Sequence, residues 1–559
     1  MCPSLHDPGV TTKLHPALVT RQAAVRLPRM ALLLLCAAYV LPGLFGRDPW
    51  RGADLSAFGQ MLSMAQGRSG WLSPTLGGVP TDSALLPHWL GAASIALCEP
   101  WLDAALAARL PFALLLVLTL VAVWYATFHL ARSDAAQPLP FAFGGEAETV
   151  DYARAVADGA LLALIATLGL LQLGHETTPE LAQLAAAATF LWAMAAAGGR
   201  TWGARLGVVL SLCSLAASGA PSMAVALGAL GCALQLGADR RHPDRSPMWP
   251  WVLLGTLAAA ALAWTMDIWA WRLAPRIDVQ QLGRLGLWFL WPAWPLAGWT
   301  VWQWRAHLGQ RHLALPLLSL GVALVASIAM GGSDRALMLG LPGIAVLASF
   351  ALPTLRRSAS AALDWFAVFA FTTAAAVFWF YYVAMQSGTP VKAAASVGRV
   401  VRGFEPQLVW AAVLLAGLGT AAWLWLVRWR TSRHRPALWT SLVLPAGGVA
   451  LCWLLLMTLG LAAINHVRSY RPLIERIDAA MPAKACVAAP DASPSLVAAL
   501  EYHARRRVDA KPGAAAGPCP VLILVRRGPV HPGPPVGWQE IAIEQRPNER
   551  NEFTLVYRR

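Results

Sequence analysis

A succession of long apolar runs governs what this chain can become. A membrane-spanning helix needs about 17 to 25 predominantly apolar residues. Runs of that kind, the third and fifth short for the purpose, occupy residues 29–46, 107–131, 157–173, 181–198, 203–217, 219–237, 249–271, 286–303, 313–331, 336–354, 364–384, 407–427 and 438–464. They predict about thirteen spans. In lipid every backbone polar group must be satisfied internally, so the fold class expected is a mainly α polytopic membrane protein. Charged residues make up only 13% of the 559, against roughly 25% in soluble domains.

The net charge of +15 is spread over short loops rather than gathered in a stripe or arm, which argues against nucleic acid as a partner. With residues 1–28 cytoplasmic, the inside loops collect Arg21, Arg26, Arg29, Arg132, Arg154, Arg205, Arg305, Arg311, Arg356, Arg357, Arg428 and Arg430, among others. The outside loops hold fewer bases, as the positive-inside rule requires. Segment 132–156 runs the other way, with more acids than bases. The first apolar run follows a basic N-terminus but ends in "LPGLFGRDPW" without a small-x-small cleavage pattern, so it reads as an uncleaved span.

An odd number of spans places residues 465–559 outside. There the pattern alternates between helix and strand periods: a helix at "RSYRPLIERIDAAM", a strand at "ACVAA", a helix at "PSLVAALEYHARRR", then strands at "VLILVRR", "QEIAIEQ" and "FTLVYRR". This predicts a small soluble α/β domain following the membrane domain of residues 29–464. Cys486 and Cys519 fall inside it, either bridged in an oxidising compartment or left as two thiols. No CxxC or HExxH spacing points to a metal, and no motif identifies a cofactor.

Three outside segments, 47–106, 272–285 and 385–406, are too long for plain turns. In the first, "LLPHWLGAASIALCEPWL" is cut by Pro87 and Pro100, which predicts an interfacial segment with His88, Trp89 and Trp101 at headgroup depth. The stretch "RDPWRGADLSAFGQML" supplies Asp48 and Asp54 beside Arg47 and Arg51, and Asp82 follows. A carboxylate there can deprotonate a hydroxyl, and a guanidinium can clamp a phosphate. The plain alternative makes Asp48, before Pro49, a turn starter and Arg47, near Trp50, an interfacial anchor. Asp267, near the outer end of a span, flags function by being ionisable, but it lies within a turn of interfacial water. Arg399 and Arg402 suit either anionic lipid or a snorkelling role, and the isolated His175 is poor evidence for a metal.

Taken in order, Asp54, Trp71, Pro74, Gly78, Asp82, Trp89, Leu90, Arg109 and Pro111 resemble the start of the bacterial branch of the protein mannosyltransferase and lipid A aminoarabinose transferase superfamily. Further on, "HETTPELAQLAAAATF" is similar to its second outside loop, whose acid is matched by Glu180 or, second, by Glu176. "LSLCSLAASGAPSMAVAL" is similar to its "LTKGP" turn, and "GGSDRALMLGLPGIAVLASF" to its arginine-containing turn, with Arg335 the match. The resemblance implies a bacterial inner-membrane glycosyltransferase with a periplasmic C-terminal domain, using a polyprenyl-phosphate sugar and a lipid, glycan or protein acceptor. It implies Asp54 and Glu180 as catalytic residues, and Arg51, Asp82, His88, Arg109 and Arg335 as substrate-binding residues.

The sequence also departs from that pattern. Leu55 replaces the acid expected after Asp54; Ser83, Ala84 and Leu85 stand where "KPP" is expected; Ser218 stands where a lysine is expected. The chain has four lysines, Lys13, Lys392, Lys484 and Lys511, among 44 basic side chains. Two further readings therefore stay open: a catalytically silent relative that binds lipid-linked sugar or a partner transferase, and a transporter, which the lack of paired Gly/Pro-broken spans disfavours.

Overall fold

The computed structural model describes residues 17–559 apart from 82–83, 198–201, 242–246, 270–272, 432–436, 484, 529–532, 548 and 550. Asp82 and Ser83 thus lie outside the described residues, as do Lys13, Lys484, Arg433 and Arg435. Helices occupy all the predicted apolar runs. Five of them, Ala104–Ala131, Arg311–Ala329, Arg357–Ser387, Trp410–Thr431 and Thr440–Thr458, are long and apolar enough to cross a membrane by themselves. Shorter apolar helices, among them Arg29–Val40, Trp202–Ala217 and Trp249–Thr265, fill the other runs. Pro111 is accommodated inside Ala104–Ala131, whose start is capped by the Asp103 carboxylate accepting from the Ala105 amide at 3.1 Å.

The first long outside segment is folded, and more helical than the sequence suggested. Helix Ala53–Ala65 is followed by a hairpin, Thr75–Leu76 paired with Val79–Pro80, and then by helix Leu85–Cys98. The hairpin turns on Gly77 and Gly78, both with positive φ, as a two-residue loop of this hand requires. Helix Leu85–Cys98 does not lie free in the interface. Gly91 seats it against Met61, where a Cβ would overlap the methionine side chain. His88 is consequently buried rather than at headgroup depth, Trp89 donates from its indole nitrogen to the Trp71 carbonyl at 2.7 Å, and only Trp101 is freely exposed, at 80%.

The C-terminal region forms a five-stranded sheet in the order Val508–Asp509, Val487–Ala488, Val521–Arg527, Glu552–Arg558, Gln539–Glu544. The first two pairings are parallel and the last two antiparallel. Two-residue Val508–Asp509 is the strand that sequence periodicity missed, being too short to show a period. Cys486 and Cys519 are joined in a disulfide between chain segments flanking the central strands. Helix Pro494–His503 packs on helix Ala53–Ala65 through Gly59, where a Cβ would overlap Ala498. The Ala510 amide donates to the Gly77 carbonyl at 2.8 Å.

Charged contacts complete this dock. Arg471 donates to both oxygens of Asp48, at 2.9 and 2.6 Å. Tyr502 donates to the Asp103 carboxylate at 3.0 Å, and Arg68 pairs with Glu501 at 2.9 Å. Asp48 is therefore more than a turn residue, because it ties the first loop to the C-terminal region. One buried core runs from the membrane helices through Leu55, Phe58 and Met61 into Leu496, Val497 and Ile523. Replacing Gly59 with valine is expected to destabilise the protein by about 1–3 kcal/mol through overpacking at this dock. Thermal unfolding of the detergent-purified protein measures it, and an unchanged midpoint would contradict the close approach.

Candidate active site

Asp54 enters the structure in the first turn of helix Ala53–Ala65, where a carboxylate is favoured by the helix dipole. It is only 2% exposed. One carboxylate oxygen accepts from the Thr177 amide at 2.7 Å and the Thr177 hydroxyl at 2.9 Å. The other accepts from the Trp50 amide at 3.0 Å and lies 3.5 Å from the Arg47 guanidinium. Arg47 is itself buried, donates to the His175 carbonyl at 2.6 Å, and lies over the Trp50 ring. It belongs to the Asp54 centre and is not an interfacial anchor.

Burial by itself raises the Asp54 pKa, but Arg47, Arg109 and the amides of Thr177 and Trp50 outweigh it, so the carboxyl is held below its ordinary value. Glu176 moves the other way: burial and the neighbouring Asp54 charge raise its pKa, and Arg335 only partly offsets them. Two acids of one cluster are thus shifted in opposite directions, Asp54 toward the charged form and Glu176 toward the neutral one.

Arg335 bridges the second loop. It reaches Glu176 at 2.7 Å, Glu180 at 3.2 Å and the Thr178 hydroxyl at 3.1 Å. Glu180, in the first turn of helix Pro179–Ala196, lines a cavity of about 570 Å³. Ala53, Ser56, Ala57 and Gln60 of the first-loop helix form one wall, the hairpin and His88 a second, and Pro490, Pro494, Val497 and Ala510 of the C-terminal region a third. Ser218 also faces it, its hydroxyl committed to the Ser214 carbonyl at 2.7 Å. No Lys or Arg lines this cavity among the described residues.

The other sequence-derived candidates separate. Arg109 is buried, donates toward the Leu44 carbonyl at 3.4 Å, and borders a narrow cleft of about 20 Å³ walled by Val40, Leu44, Phe112 and Leu116. Arg51 is exposed and lines a different cavity, shared with Arg527, Arg546 and Glu552. His175 has its ring nitrogens 2.7 and 2.9 Å from the Leu171 and Tyr39 carbonyls and sits against Trp453, a packing role. Asp267 is exposed. The burial of Arg47 against Asp54, and the places of Thr177 and Gln60, do not follow from the sequence. Nothing in the sequence announces that a guanidinium seven residues before Asp54 will be buried with it; the "ETTPE" entry to a helix was the only local sign for Thr177.

The fold and this cluster define a multi-pass membrane protein in which two loops and the C-terminal region enclose a cavity bearing the Glu180 carboxylate. The fold is that of the crystal structure of ArnT from Cupriavidus metallidurans bound to undecaprenyl phosphate, with a TM-score of 0.62 at 13% identity, covering 94% of this chain and 96% of that one. The same protein in its apo state superposes with a TM-score of 0.61, again at 13% identity. This agrees with the resemblance read in the sequence. No family model and no curated protein matches the chain.

Asp54 has a lower pKa folded than unfolded, so its contribution to stability is complete above the unfolded value of about 4 and is lost as the pH falls through the depressed folded value. Asp54→Asn should flatten the acid limb of the stability profile below about pH 4. Arg47→Met, which strands a buried carboxylate, is expected to cost about 3–5 kcal/mol, with part recovered in the Arg47→Met/Asp54→Asn double variant. Denaturation across pH tests both, and strictly additive effects of the two substitutions would show that the residues do not interact.

Proposed function

We propose that the protein is a membrane glycosyltransferase that takes a sugar from a polyprenyl-phosphate donor and passes it to a hydroxyl acceptor at the periplasmic face of a bacterial inner membrane. The observation that carries this reading is the convergence of Asp54 from the first loop with Glu176 and Glu180 from the second, and of Arg47, Arg109 and Arg335, beside a cavity walled by the C-terminal region. The fold supports it, since the ArnT structure that shares it holds undecaprenyl phosphate.

In the reaction an acceptor oxygen forms a bond to the anomeric carbon while the bond from that carbon to the phosphate oxygen breaks. The acceptor proton passes to a carboxylate, and polyprenyl phosphate leaves. Asp54 suits the proton acceptor once the acceptor hydroxyl displaces that of Thr177, the one side-chain hydroxyl it now receives. Glu180 is the acid that lines the cavity itself, at the entry of the helix that follows Thr177, the residue that holds Asp54. Arg109, buried beside an apolar cleft, supplies fixed positive charge where the departing phosphate meets its hydrocarbon tail. The protein supplies the rest by holding these groups in place before substrate arrives.

Asp54→Asn is expected to lower sugar transfer about 10²–10⁴-fold, the range of a lost general base. Glu180→Gln should reduce transfer while leaving the protein folded. Membranes supplied with a radiolabelled polyprenyl-phosphate sugar report the activity, and a thermal unfolding profile confirms folding; full transfer by Asp54→Asn would refute its role as base. A second reading, a silent relative that binds the lipid-linked sugar without turnover, draws on Ser218 facing the cavity and on the lack of a basic lining residue there among those described. Saturable donor binding by the wild type without any transfer to any acceptor would favour it.

A further inference from the structure

The cavity that Glu180 faces has two features that sugar transfer alone does not use. Gln60 and His88 both line it, one from each of the two tightly packed first-loop helices, at 6% and 1% exposure. Gln60 Oε1 and His88 Nδ1 are buried without a hydrogen-bond partner among the described residues. A buried polar atom left unpaired is costly, and two in residues that line one cavity call for groups that arrive with a ligand.

The charges narrow what that ligand is. Among the described lining residues Glu180 is the one carboxylate, already held by Arg335 at 3.2 Å, and none is Lys or Arg. Gln183 donates to the Ser218 carbonyl at 2.6 Å. Burial pushes the His88 imidazole down to about 4, so it is neutral at physiological pH. An anionic head would find no cation among the described lining residues, and a cationic one would have to take Glu180 from Arg335. A hydroxyl both donates and accepts, so it serves an amide oxygen and an imidazole nitrogen equally.

We propose that this cavity holds an uncharged sugar and that Gln60 and His88 are its specificity-determining residues, reading the sugar hydroxyls. The proposal rests on the polyprenyl-phosphate reading above and names the sugar class for that site. Sites built to hydrogen-bond a hydroxyl discriminate strongly against heads that leave their polar groups unpaired.

The test uses the full-length protein in detergent and four probes: bare polyprenyl phosphate, and the same lipid phosphate carrying a neutral hexose, an amino sugar or a uronic acid. Affinities are read by competition and by ligand-induced thermal shift. The neutral hexose is expected to bind at least about tenfold tighter than the bare lipid, with neither charged head showing that gain. Gln60→Leu and His88→Phe should each remove most of the gain, with binding of the bare lipid, which has no sugar to lose, as the control for folding. A charged head that binds best, or a gain that survives both substitutions, overturns the sugar assignment and leaves the lipid-phosphate reading standing. Failure of all four probes to bind overturns that reading, and this proposal with it.

Discussion

A carboxylate removed from water must be compensated on all sides, and the compensation of Asp54 sets the arrangement around it. Thr177 closes one oxygen with two hydrogen bonds, and Trp50 and Arg47 close the other. Thr177 belongs to the loop before helix Pro179–Ala196, so satisfying Asp54 fixes that loop against the first. That loop and the start of the helix carry Glu176 and Glu180, which Arg335 draws together from a third segment. An isolated buried ion is prohibitively unfavourable, so these segments take up positions that bring carboxylates and guanidiniums into one cluster. The catalytic geometry proposed here is thus also what makes the burial tolerable.

The second determinant is the dock of the C-terminal region on the first loop. Small residues allow it: Gly59 against Ala498, and Gly77 against Ala510 and Val497. Asp48, Asp103 and Glu501 then fasten it through Arg471, Tyr502 and Arg68. Close approach brings Val497, Ala510 and nearby prolines to the cavity that Glu180 lines, so one of its walls comes from a part of the chain more than 400 residues from Asp54 in sequence. The absence of lysine at Ser218 acquires a meaning at the same place. That residue faces the cavity without charge, while the fixed positive charge lies deeper, at Arg47 and Arg109, and across the second loop at Arg335.

Much of the architecture is legible in the order of residues alone. Apolar length alone located the helices, because lipid leaves the backbone no alternative to internal hydrogen bonding. Alternating periods located most of the C-terminal strands. Where the reading fell short, the cause was contact between distant segments. "LLPHWLGAASIALCEPWL" has the composition of an interfacial segment, yet Met61 and Gly91 provide it with a protein partner, and His88 is buried as a result. Asp48 has the local chemistry of a turn, yet Arg471 waits for it 423 residues further on.

The sequence by itself determined a polytopic helical membrane protein with a small α/β region at its end, and it singled out Asp54, Glu180, Arg109 and Arg335 as residues worth attention. Hydropathy and strand period are local properties, written within a few turns of chain, and a short ordered motif can mark a loop. Only the tertiary structure decided that Arg47 and Thr177 complete the Asp54 centre, that Arg51 lines another cavity, and that Gln60 and His88 line the same cavity as Glu180. Burial and electrostatic pairing depend on which segments meet in space, and no periodicity within one segment encodes its partner in another.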